Sequence, residues 1–398
     1  MSKNKKILMV MPVMKGGGAE RVASLLLNEF SRNGYNCEFL LTSSDKNDII
    51  NRDLNPDIPI ASVYEKKNKK SLFFKAAEII SSLLCKPFEI LKLGVPACFA
   101  RLSFVSQYHN EIKRLKEKLE SEPDTVVISF LQPSVPMTLI AAKNLSNRVV
   151  VSERGDPKRL LKKRYGYKFI KKYYQRADAV VFQTNNAMAA YPDNVSSKGT
   201  VIFNPINDKL PEPYFGEREK YVATFCRVSR QKNLPVLVEA FAGFHKEFSD
   251  YRLKIIGEPQ NDDDRASLTE TKALADKLGI AEYIDFLPFS TEVHSQIIRD
   301  AMYVNSSDYE GMSNAMLEAM AIGMPVICTD CPIGGANAVI DNNENGILTP
   351  VGNADEMSKA MKKIAGDKEF ADKLSKNAVK IRHTLSLENT AKKWMELL

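Results

Sequence analysis

The chain has 398 residues, of which 44% are hydrophobic and 26% are charged, and its formal net charge is +7. This composition is typical of a globular protein and excludes a disordered or collagen-like chain, while the length predicts two domains. No apolar run reaches the roughly 18 residues that a membrane-spanning helix needs, and the amino-terminal apolar run is too short for a signal peptide. We therefore expect a cytoplasmic protein.

Short apolar runs alternate with amphipathic helical stretches along nearly the whole sequence. This alternation predicts parallel sheets whose strands are joined by helices. The first half contains predicted strands at residues 6–13, 37–42, 125–130, 148–152, 179–183 and 200–203. The second half repeats the pattern, with predicted strands at residues 221–226, 252–256, 284–287, 302–305, 325–329 and 346–348. The sequence thus predicts an α/β protein with two Rossmann-like, doubly wound domains.

A proline-rich segment, residues 204–216, separates the two sets of strands and predicts the domain boundary. We expect an amino-terminal domain of residues 1–205, a carboxyl-terminal domain of residues 206–385, and a final helix at 386–398 that packs back on the amino-terminal domain. Ligands of such sheets bind at the carboxyl ends of the strands, where the winding reverses. Two domains facing each other therefore predict a cleft lined by the loops that leave the strands.

Positive charge is concentrated in the first half, since residues 1–200 contain 33 Lys and Arg against 19 Asp and Glu. Residues 64–120 depart from the strand and helix alternation, which predicts an extended helical insertion. Five lysines of this insertion are Lys66, Lys67, Lys69, Lys70 and Lys75. Residues 157–176 contain nine Lys and Arg, no acid, and several Tyr and Phe, a pattern that predicts binding to anionic lipid or another polyanion, with a solvated helix face as the alternative.

A glycine-rich loop, KGGGAER, lies between the first predicted strand and a helical pattern. Glycines at such a position, here Gly17 and Gly18, let backbone N–H groups and a helix N-terminus approach a phosphate or a sugar. The loop does not match the dinucleotide fingerprint, because Arg21 occupies the place of the third glycine, and it does not match the P-loop. An ordinary tight turn is the alternative.

The loop after the first strand of the second half carries Arg227 and Lys232, five positions apart. A guanidinium and an ammonium at this spacing can reach the same dianion. A basic surface loop is the alternative.

Residues 306–321 follow another predicted strand and combine two carboxylates with a helix start. Ser313 or Asn314 is a suitable N-cap for the helix. Glu310 in the loop and Glu318 in the helix can accept hydrogen bonds from sugar hydroxyls, while the N–H groups between them face a phosphate. Solvent-exposed glutamates are the alternative.

Other polar clusters do not indicate a site. We interpret residues 262–264, three consecutive aspartates, as a solvated loop rather than a metal site. The four histidines show no metal-binding spacing, and Cys328 with Cys331 is interpreted as two small buried residues rather than a redox pair.

Together these motifs resemble the bacterial family 4 (group 1) glycosyltransferases of the GT-B fold, which build capsule, O-antigen or lipid-linked oligosaccharides. The resemblance rests on the GGGAERV loop, the Asn204-Pro205-Ile206 junction, the loop with Arg227 and Lys232, and the segment EGMSNAMLEAMAIGMPVICTDCPIGG with its two glutamates separated by seven residues. It implies a retaining transferase that uses a nucleotide sugar, UDP-linked, and needs neither a metal ion nor a cofactor.

The resemblance also implies a role for each motif. Arg227 and Lys232 hold the diphosphate, Glu310 holds the transferred sugar, and Glu318 holds the ribose hydroxyls. Catalysis then consists of electrostatic stabilisation of the departing diphosphate. Further donor contacts are implied for the backbone near Gly311, Met312, Ser313 and Asn314, and from the opposite domain for Gly17 and Gly18.

The chain departs from the family pattern in two places. Many relatives have a histidine where residues 151–157 read VSERGDP, and within this segment Glu153, Arg154 and Asp156 are candidates for contacts with the acceptor or the donor. Cys226 stands where relatives have a glycine before the arginine.

The expected activity is transfer of a hexose or an N-acetylhexosamine to a polyprenyl-diphosphate-linked saccharide, at the inner face of the cell membrane to which the basic amino-terminal domain binds. A noncatalytic two-domain binding protein is the main alternative, but it predicts a signal peptide or lipid anchor that is not evident. A nicotinamide-dependent oxidoreductase is a further alternative, but it needs the third glycine of the dinucleotide fingerprint, which this chain lacks. No nucleic-acid partner is expected, because no recognised binding module accompanies the basic residues.

Overall fold

The computed structural model describes residues 5–45, 53–65, 72–91, 93, 95–162 and 166–398. It divides the chain into two compact units: unit 1 is Met1–Pro205 with Leu387–Leu398, and unit 2 is Ile206–Ser386. Six basic residues of the segments 64–120 and 157–176 lie outside the described residues, namely Lys66, Lys67, Lys69, Lys70, Lys163 and Arg164.

Unit 1 contains a parallel sheet with the strand order β3-β2-β1-β4-β5-β6-β7. Its strands are β1 (Lys6–Met11), β2 (Asn36–Leu41), β3 (Ile60–Ser62), β4 (Val126–Phe130), β5 (Val149–Glu153), β6 (Ala179–Phe182) and β7 (Gly199–Val201). The winding reverses between β1 and β4, so a ligand crevice is expected outside the carboxyl ends of these two strands.

Helices cover both faces of this sheet. The central strand β1 shows this, because its side chains are apolar and buried on both sides. Leu8 and Val10 belong to one buried cluster, whereas Ile7 and Met9 belong to another. The helices are α1 (Gly18–Arg32), α2 (Leu72–Ile90), α3 (Ala97–Gln107), α4 (His109–Ser121), α5 (Ser134–Ala141), α6 (Pro157–Leu161), α7 (Tyr167–Tyr173), α8 (Asn185–Ala189) and α9 (Asp193–Ser196). The region of the predicted helical insertion forms α2, α3 and α4.

The basic segment of residues 157–176 contributes to the core as well as to the surface. Phe169, Tyr173 and Tyr174 are fully buried in unit 1, whereas the lysines of α7 and Tyr167 are exposed. The three buried rings therefore stabilise the fold, and binding of this segment to anionic lipid or another polyanion stays a prediction.

Unit 2 contains a second parallel sheet, with the strand order β10-β9-β8-β11-β12-β13. Its strands are β8 (Glu219–Phe225), β9 (Arg252–Ile256), β10 (Ile284–Leu287), β11 (Asp300–Asn305), β12 (Val326–Thr329) and β13 (Ile347–Thr349). Its helices are α10 (Leu234–His245), α11 (Asp262–Lys277), α12 (Val293–Ile297), α13 (Asn314–Ala321), α14 (Ala354–Gly366), α15 (Lys368–Ala378) and α16 (Ile381–Thr384). The winding reverses between β8 and β11. The two sheets confirm the predicted α/β class with two doubly wound domains.

The last helix, α17 (Leu387–Met395), is part of unit 1 and packs against α1. The ring of its Trp394 is buried 5.5 Å from the ring of Phe130 at the end of β4. Within the described residues, no helix combines the length and the apolar character needed to cross a membrane.

The interpretation of residues 262–264 as a solvated loop is wrong. These aspartates form the first turn of α11, where Asn261 is the N-cap and its side chain accepts a hydrogen bond from the Asp264 N–H at 2.9 Å. Acidic residues are stabilised at a helix N-terminus by the helix dipole, so the cluster has a structural explanation.

Candidate functional site

The loops that follow β8 and β11 form the candidate site in unit 2. Neighbouring parallel strands end at the same edge of a sheet, so the loop after β8, with Arg227 and Lys232, meets the loop after β11, with Glu310. This is the point where the winding of the unit 2 sheet reverses, and open α/β sheets bind ligands there.

Lys232 and Glu310 form an ion pair across the two loops. The Lys232 Nζ lies 2.5 Å from Glu310 Oε1, and each side chain is about one sixth exposed. Burial lowers the pKa of Lys232, but the Glu310 carboxylate outweighs it, so this pKa lies above its ordinary value. Ser307 Oγ lies 2.9 Å from the same Glu310 oxygen. The lysine is therefore a permanent cation, and the carboxylate is held in a defined position.

Further hydrogen bonds join the two loops. The Gln231 side-chain amide donates to the Tyr309 carbonyl at 2.8 Å, and the Asp308 N–H donates to the Gln231 carbonyl at 2.9 Å. Ser306 Oγ donates to the Lys232 carbonyl at 2.8 Å. Because main-chain and side-chain groups of both loops are joined, the charged side chains need little rearrangement to meet a ligand.

The path of the loop after β8 depends on a close approach of two backbones. A Cβ at Gly257 would lie 1.8 Å from the Cys226 carbonyl oxygen, and φ of Gly257 is +150°, so only glycine fits. Burial raises the pKa of the Cys226 thiol to about 11, which keeps the thiol protonated and unreactive.

The two arginines of this loop have different environments. Arg230 forms ion pairs at 2.8 Å with Asp263 and with Glu270, both on α11. Arg227 is exposed, and among the described residues no carboxylate lies within ion-pair distance of it. Arg227 is thus a cation available to an anionic ligand.

Glu318 is buried in α13 and is contacted by a histidine that the sequence did not indicate. The His294 Nε2 lies 2.9 Å from Glu318 Oε2, and both side chains are about nine-tenths buried. His294 comes from α12, and its ring meets the edge of Phe225 at 5.5 Å. Since the carboxylate accepts a hydrogen bond from His294, its orientation is fixed. The spacing of the four histidines could not reveal this, because the contact joins residues 24 positions apart in different elements.

The start of α13 is fixed by capping and by contacts from behind. Ser313 is the N-cap, and its hydroxyl accepts a hydrogen bond from the Met316 N–H at 3.3 Å. Met312 is buried. A Cβ at Gly335 would lie 1.7 Å from the Gly311 carbonyl oxygen, so a second chain segment packs directly on this backbone. Asn314, the first residue of α13, is half-buried.

In unit 1, backbone N–H groups of the glycine-rich loop already donate hydrogen bonds to a side chain of the following helix, α1. The Glu20 carboxylate accepts hydrogen bonds from the Gly17 N–H at 2.9 Å and from the Lys15 N–H at 2.5 Å. Gly18 is the first residue of α1. The expected contact of Gly17 with a phosphate therefore requires the carboxylate to leave.

Glu153 ends β5 and is buried beside a tyrosine. The Tyr174 hydroxyl donates to its carboxylate, and the Gln132 side-chain amide donates to the Tyr174 hydroxyl at 2.6 Å. Burial raises the pKa of Glu153 to about 7, although the hydrogen bond from Tyr174 opposes this shift. The carboxyl group thus titrates near neutral pH.

The other two candidates of this segment have structural partners. The Arg154 guanidinium donates to Asn204 Oδ1 and lies 4.8 Å from the ring centre of Phe130. Burial lowers the pKa of Arg154 to about 9, which leaves it a cation at neutral pH. Asp156 is the N-cap of α6, and its Oδ1 accepts a hydrogen bond from the Lys158 N–H at 2.8 Å.

No three His, Cys, Asp or Glu side chains among the described residues are grouped as metal ligands would be. Cys328 and Cys331 are buried free cysteines. Metal independence of the site stays a prediction.

Comparisons with known proteins show which proteins the chain is similar to. Residues 207–381 match the family described as glycosyl transferases group 1. An uncharacterized glycosyltransferase of Haemophilus influenzae is 22% identical over 99% of this chain and all of its own length. The N-acetylgalactosamine-N,N'-diacetylbacillosaminyl-diphospho-undecaprenol 4-alpha-N-acetylgalactosaminyltransferase of Campylobacter jejuni is 23% identical over 65% of this chain and 71% of its own length.

A solved structure shares the fold. Anabaena HepE in complex with UDP-glucose has a TM-score of 0.75 and 15% sequence identity, and the match covers 98% of each chain. The two parallel sheets are thus those of the GT-B glycosyltransferases. Residues 207–381 are thus matched by the group 1 glycosyltransferase family, and the fold is shared over nearly the full length of the chain.

Proposed function

We propose that the chain is a retaining transferase that moves a hexose or an N-acetylhexosamine from a UDP-sugar to a polyprenyl-diphosphate-linked saccharide. The observation that carries this proposal is the ion pair of Lys232 and Glu310 at the point where the unit 2 sheet reverses its winding. The Campylobacter relative, named for a diphospho-undecaprenol acceptor, supports the lipid-linked acceptor. The UDP-glucose complex of HepE supports the donor class.

The diphosphate of the donor would lie against Arg227 and Lys232. An ammonium group has three N–H donors, and Glu310 uses one of those of Lys232, so two remain for phosphate oxygens. The guanidinium of Arg227 supplies a planar pair of donors beside them. Two cations and the N-terminus of α13 can balance the charge of a diphosphate, which is why we propose that no metal ion is required.

In the transfer step, the bond between the sugar C1 and the diphosphate oxygen breaks, and the acceptor hydroxyl forms its bond to C1 on the same face of the sugar. The acceptor proton passes to the departing diphosphate. Negative charge grows on the diphosphate during this step, so Arg227 and Lys232 stabilise the transition state more than the bound donor. Glu310 accepts a hydrogen bond from the sugar and holds it in position.

The nucleoside end of the donor would be held by Glu318. A carboxylate accepts hydrogen bonds from both ribose hydroxyls. His294 acts as a positioning residue, because its Nε2 lies 2.9 Å from a Glu318 oxygen and holds the carboxylate in one orientation.

The proposed acceptor places the protein at the inner face of the cell membrane. The polyprenyl chain stays in the bilayer while the saccharide reaches the enzyme. The exposed lysines of α7, Lys168, Lys171 and Lys172, favour an anionic surface.

The test is thermal stabilisation of the pure protein by UDP, GDP, ADP, NAD and several nucleotide sugars, each with and without EDTA. We expect selective stabilisation by UDP and one UDP-sugar, unchanged by EDTA. Turnover of that UDP-sugar with a polyprenyl-diphosphate saccharide, and the anomeric configuration of the product, then test the reaction. Stabilisation by NAD alone, or loss of stabilisation with EDTA, would contradict the donor or the metal independence.

A further inference from the structure

Helix α2 turns large apolar side chains toward solvent. Surface helices of globular proteins show the opposite distribution, with an apolar stripe facing the core. Contiguous exposed apolar surface of this kind marks an interaction site. The exposed residues, which are between 39 and 88% accessible, are Leu72, Phe73, Ile79, Ile80, Leu83, Leu84 and Ile90, followed by Leu91 and Leu93 after the helix. We call these residues the α2 apolar face.

The opposite side of α2 is narrow and holds the helix to unit 1. Ser81 and Cys85, one turn apart, are fully buried. Helix α2 packs against α3, where Ser81 Oγ lies 3.5 Å from Ser106 Oγ. The Phe74 ring stacks on the His109 ring at 3.6 Å. The inward side of α2 thus combines small residues with the rings of Phe74 and Phe88, whereas the residues of the α2 apolar face remain exposed.

The excess positive charge near the α2 apolar face comes from neighbouring helices. On α2 itself, Lys75 and Lys86 are balanced in number by Glu78 and Glu89, whereas Arg101 is exposed on α3. Helix α3 also packs against α7, where the Phe104 and Phe169 rings lie 5.7 Å apart. The exposed lysines of α7 therefore belong to a helix that packs against α3, which in turn packs against α2.

We propose that α2 lies in the interface of an anionic lipid bilayer, with the α2 apolar face among the acyl chains and the lysines of α2 and α7 at the headgroups. A helix that is apolar on one side, carries lysines and is unable to span the bilayer is suited to lie in the membrane plane. The basic residues favour an anionic lipid surface over a second copy of this chain, which would bring like charges together. This inference rests on the proposed function in one respect: the lipid-linked acceptor is the reason for the protein to approach a membrane.

Co-sedimentation of the full chain with vesicles tests the proposal. One set of vesicles contains phosphatidylglycerol with phosphatidylcholine, and the other contains phosphatidylcholine alone. The variant I79Q/L83Q removes two apolar side chains of the face without adding charge, and glutamine is compatible with a helix. We expect it to lower the vesicle partition coefficient about tenfold or more, since each removed side chain loses apolar burial in the bilayer.

The matched control is L278Q/L287Q, which makes the same change at two exposed leucines of unit 2. We expect its partition coefficient to stay within about twofold of the wild-type value, as for surface changes in general. UDP stabilisation is measured on both variants and should be unchanged. Failure of UDP to stabilise the wild-type chain would count against the proposed function alone, whereas equal vesicle binding of I79Q/L83Q and the wild type would overturn the membrane proposal.

A fluorescence reporter measures insertion directly. The chain has a single tryptophan, Trp394, which is buried, so a tryptophan introduced by L83W is the only one that can meet lipid. We expect a blue shift of its emission on addition of anionic vesicles and quenching by brominated acyl chains. No shift and no quenching would overturn the proposal. Conversion of a wild-type dimer into a monomer by I79Q/L83Q, seen by size-exclusion chromatography, would also overturn it, because the α2 apolar face would then cover a second copy.

Discussion

The two sheets share the same strand order around the points where their winding reverses, yet the carboxylates at their strand ends have different partners. In unit 2, Glu310 is paired with Lys232, and Glu318 is contacted by His294. In unit 1, Glu20 accepts hydrogen bonds from its own loop, and Glu153 is buried beside a tyrosine. The strand order decides where a ligand can bind, while the partners of the charged side chains decide which ligand is favoured.

This difference separates the roles of the two units. Unit 2 presents Lys232 and two carboxylates that are held in position, together with the exposed Arg227, which suits a charged donor whose leaving group gains negative charge. At the strand ends of unit 1, Glu20 and Asp156 serve the local backbone and Glu153 titrates near neutral pH. The predictions that follow test this separation.

The largest expected effect is on turnover, from neutralising the two cations of the unit 2 loop. For R227Q/K232M we expect kcat to fall about a thousandfold and UDP affinity to fall about tenfold, because the cations face charge that develops in the transition state. Steady-state kinetics and calorimetric titration with UDP measure the two effects. The matched control is R230Q on the same loop, whose arginine pairs with α11, and it should change kcat by less than about twofold. An equal loss of affinity and kcat would assign the cations to donor binding only.

In unit 1, the burial of Glu153 should make stability depend on pH. Its pKa rises from 4.5 in the unfolded chain to about 7 in the folded chain. The folded state then binds the proton more tightly, so the free energy of unfolding falls as pH rises from about 4.5 to about 7, by about 3 kcal/mol in all. The variant E153Q removes this dependence. Its free energy of unfolding should therefore exceed that of the wild type by a margin that grows with pH and reaches about 3 kcal/mol at pH 8.

Urea unfolding followed by the fluorescence of Trp394 measures this effect, because that tryptophan is buried in unit 1. The control E120Q changes an exposed carboxylate of α4 and should keep the wild-type pH dependence. A parallel pH dependence in E153Q and the wild type would show that Glu153 is charged in the folded chain.

A smaller effect should distinguish the two glutamates of unit 2. We expect E318Q to weaken the binding of free UDP about thirtyfold, because hydrogen bonds from ribose hydroxyls to a carboxylate contribute about 2 kcal/mol. The variant E310Q should weaken it less than about threefold, since free UDP lacks the sugar that Glu310 is proposed to hold. Calorimetric titration measures both, and equal losses would contradict the assigned roles.

His294 extends this test to the residue that positions Glu318. We expect H294A to raise KM for the donor several-fold with little change in kcat, because the carboxylate loses its fixed orientation. The control H245A removes another buried histidine of unit 2, whose ring lies against that of Tyr283. If H245A lowers UDP affinity as much as H294A does, lost stability explains the effect rather than lost positioning.

Sequence periodicity was sufficient to predict the fold class because most strands are continuous apolar runs, as in sheets covered on both faces. It missed β3, which has only three half-buried residues, too few to show a period. It also missed the start of α11, although Asn261 followed by three aspartates is a recognisable helix N-terminus. The local signal for a helix is therefore present in the sequence at this point.

For the site, sequence motifs indicated Lys232 and Glu310, because their loops follow strands whose ends meet. They did not indicate His294 or the contact of Glu20 with Gly17, since neither belongs to a recognisable spacing. The pattern of the basic segment does not show that Phe169 is buried, and the pattern of α2 does not show that its apolar face is exposed. Composition shows that apolar and basic residues are present, and only packing decides which of them face solvent.

The smallest expected effect is at Asp156, where two substitutions separate a cap from a substrate contact. Removing the N-cap in D156A should cost about 1 kcal/mol of unfolding free energy, because the Lys158 N–H loses its acceptor. Asparagine caps helices as well as aspartate, so D156N should keep stability within about 0.5 kcal/mol and turnover within about twofold. Urea unfolding and steady-state kinetics measure the two. If D156N is as stable as the wild type but loses turnover, the carboxylate contacts a substrate, and the strand ends of unit 1 take part in the reaction as those of unit 2 do.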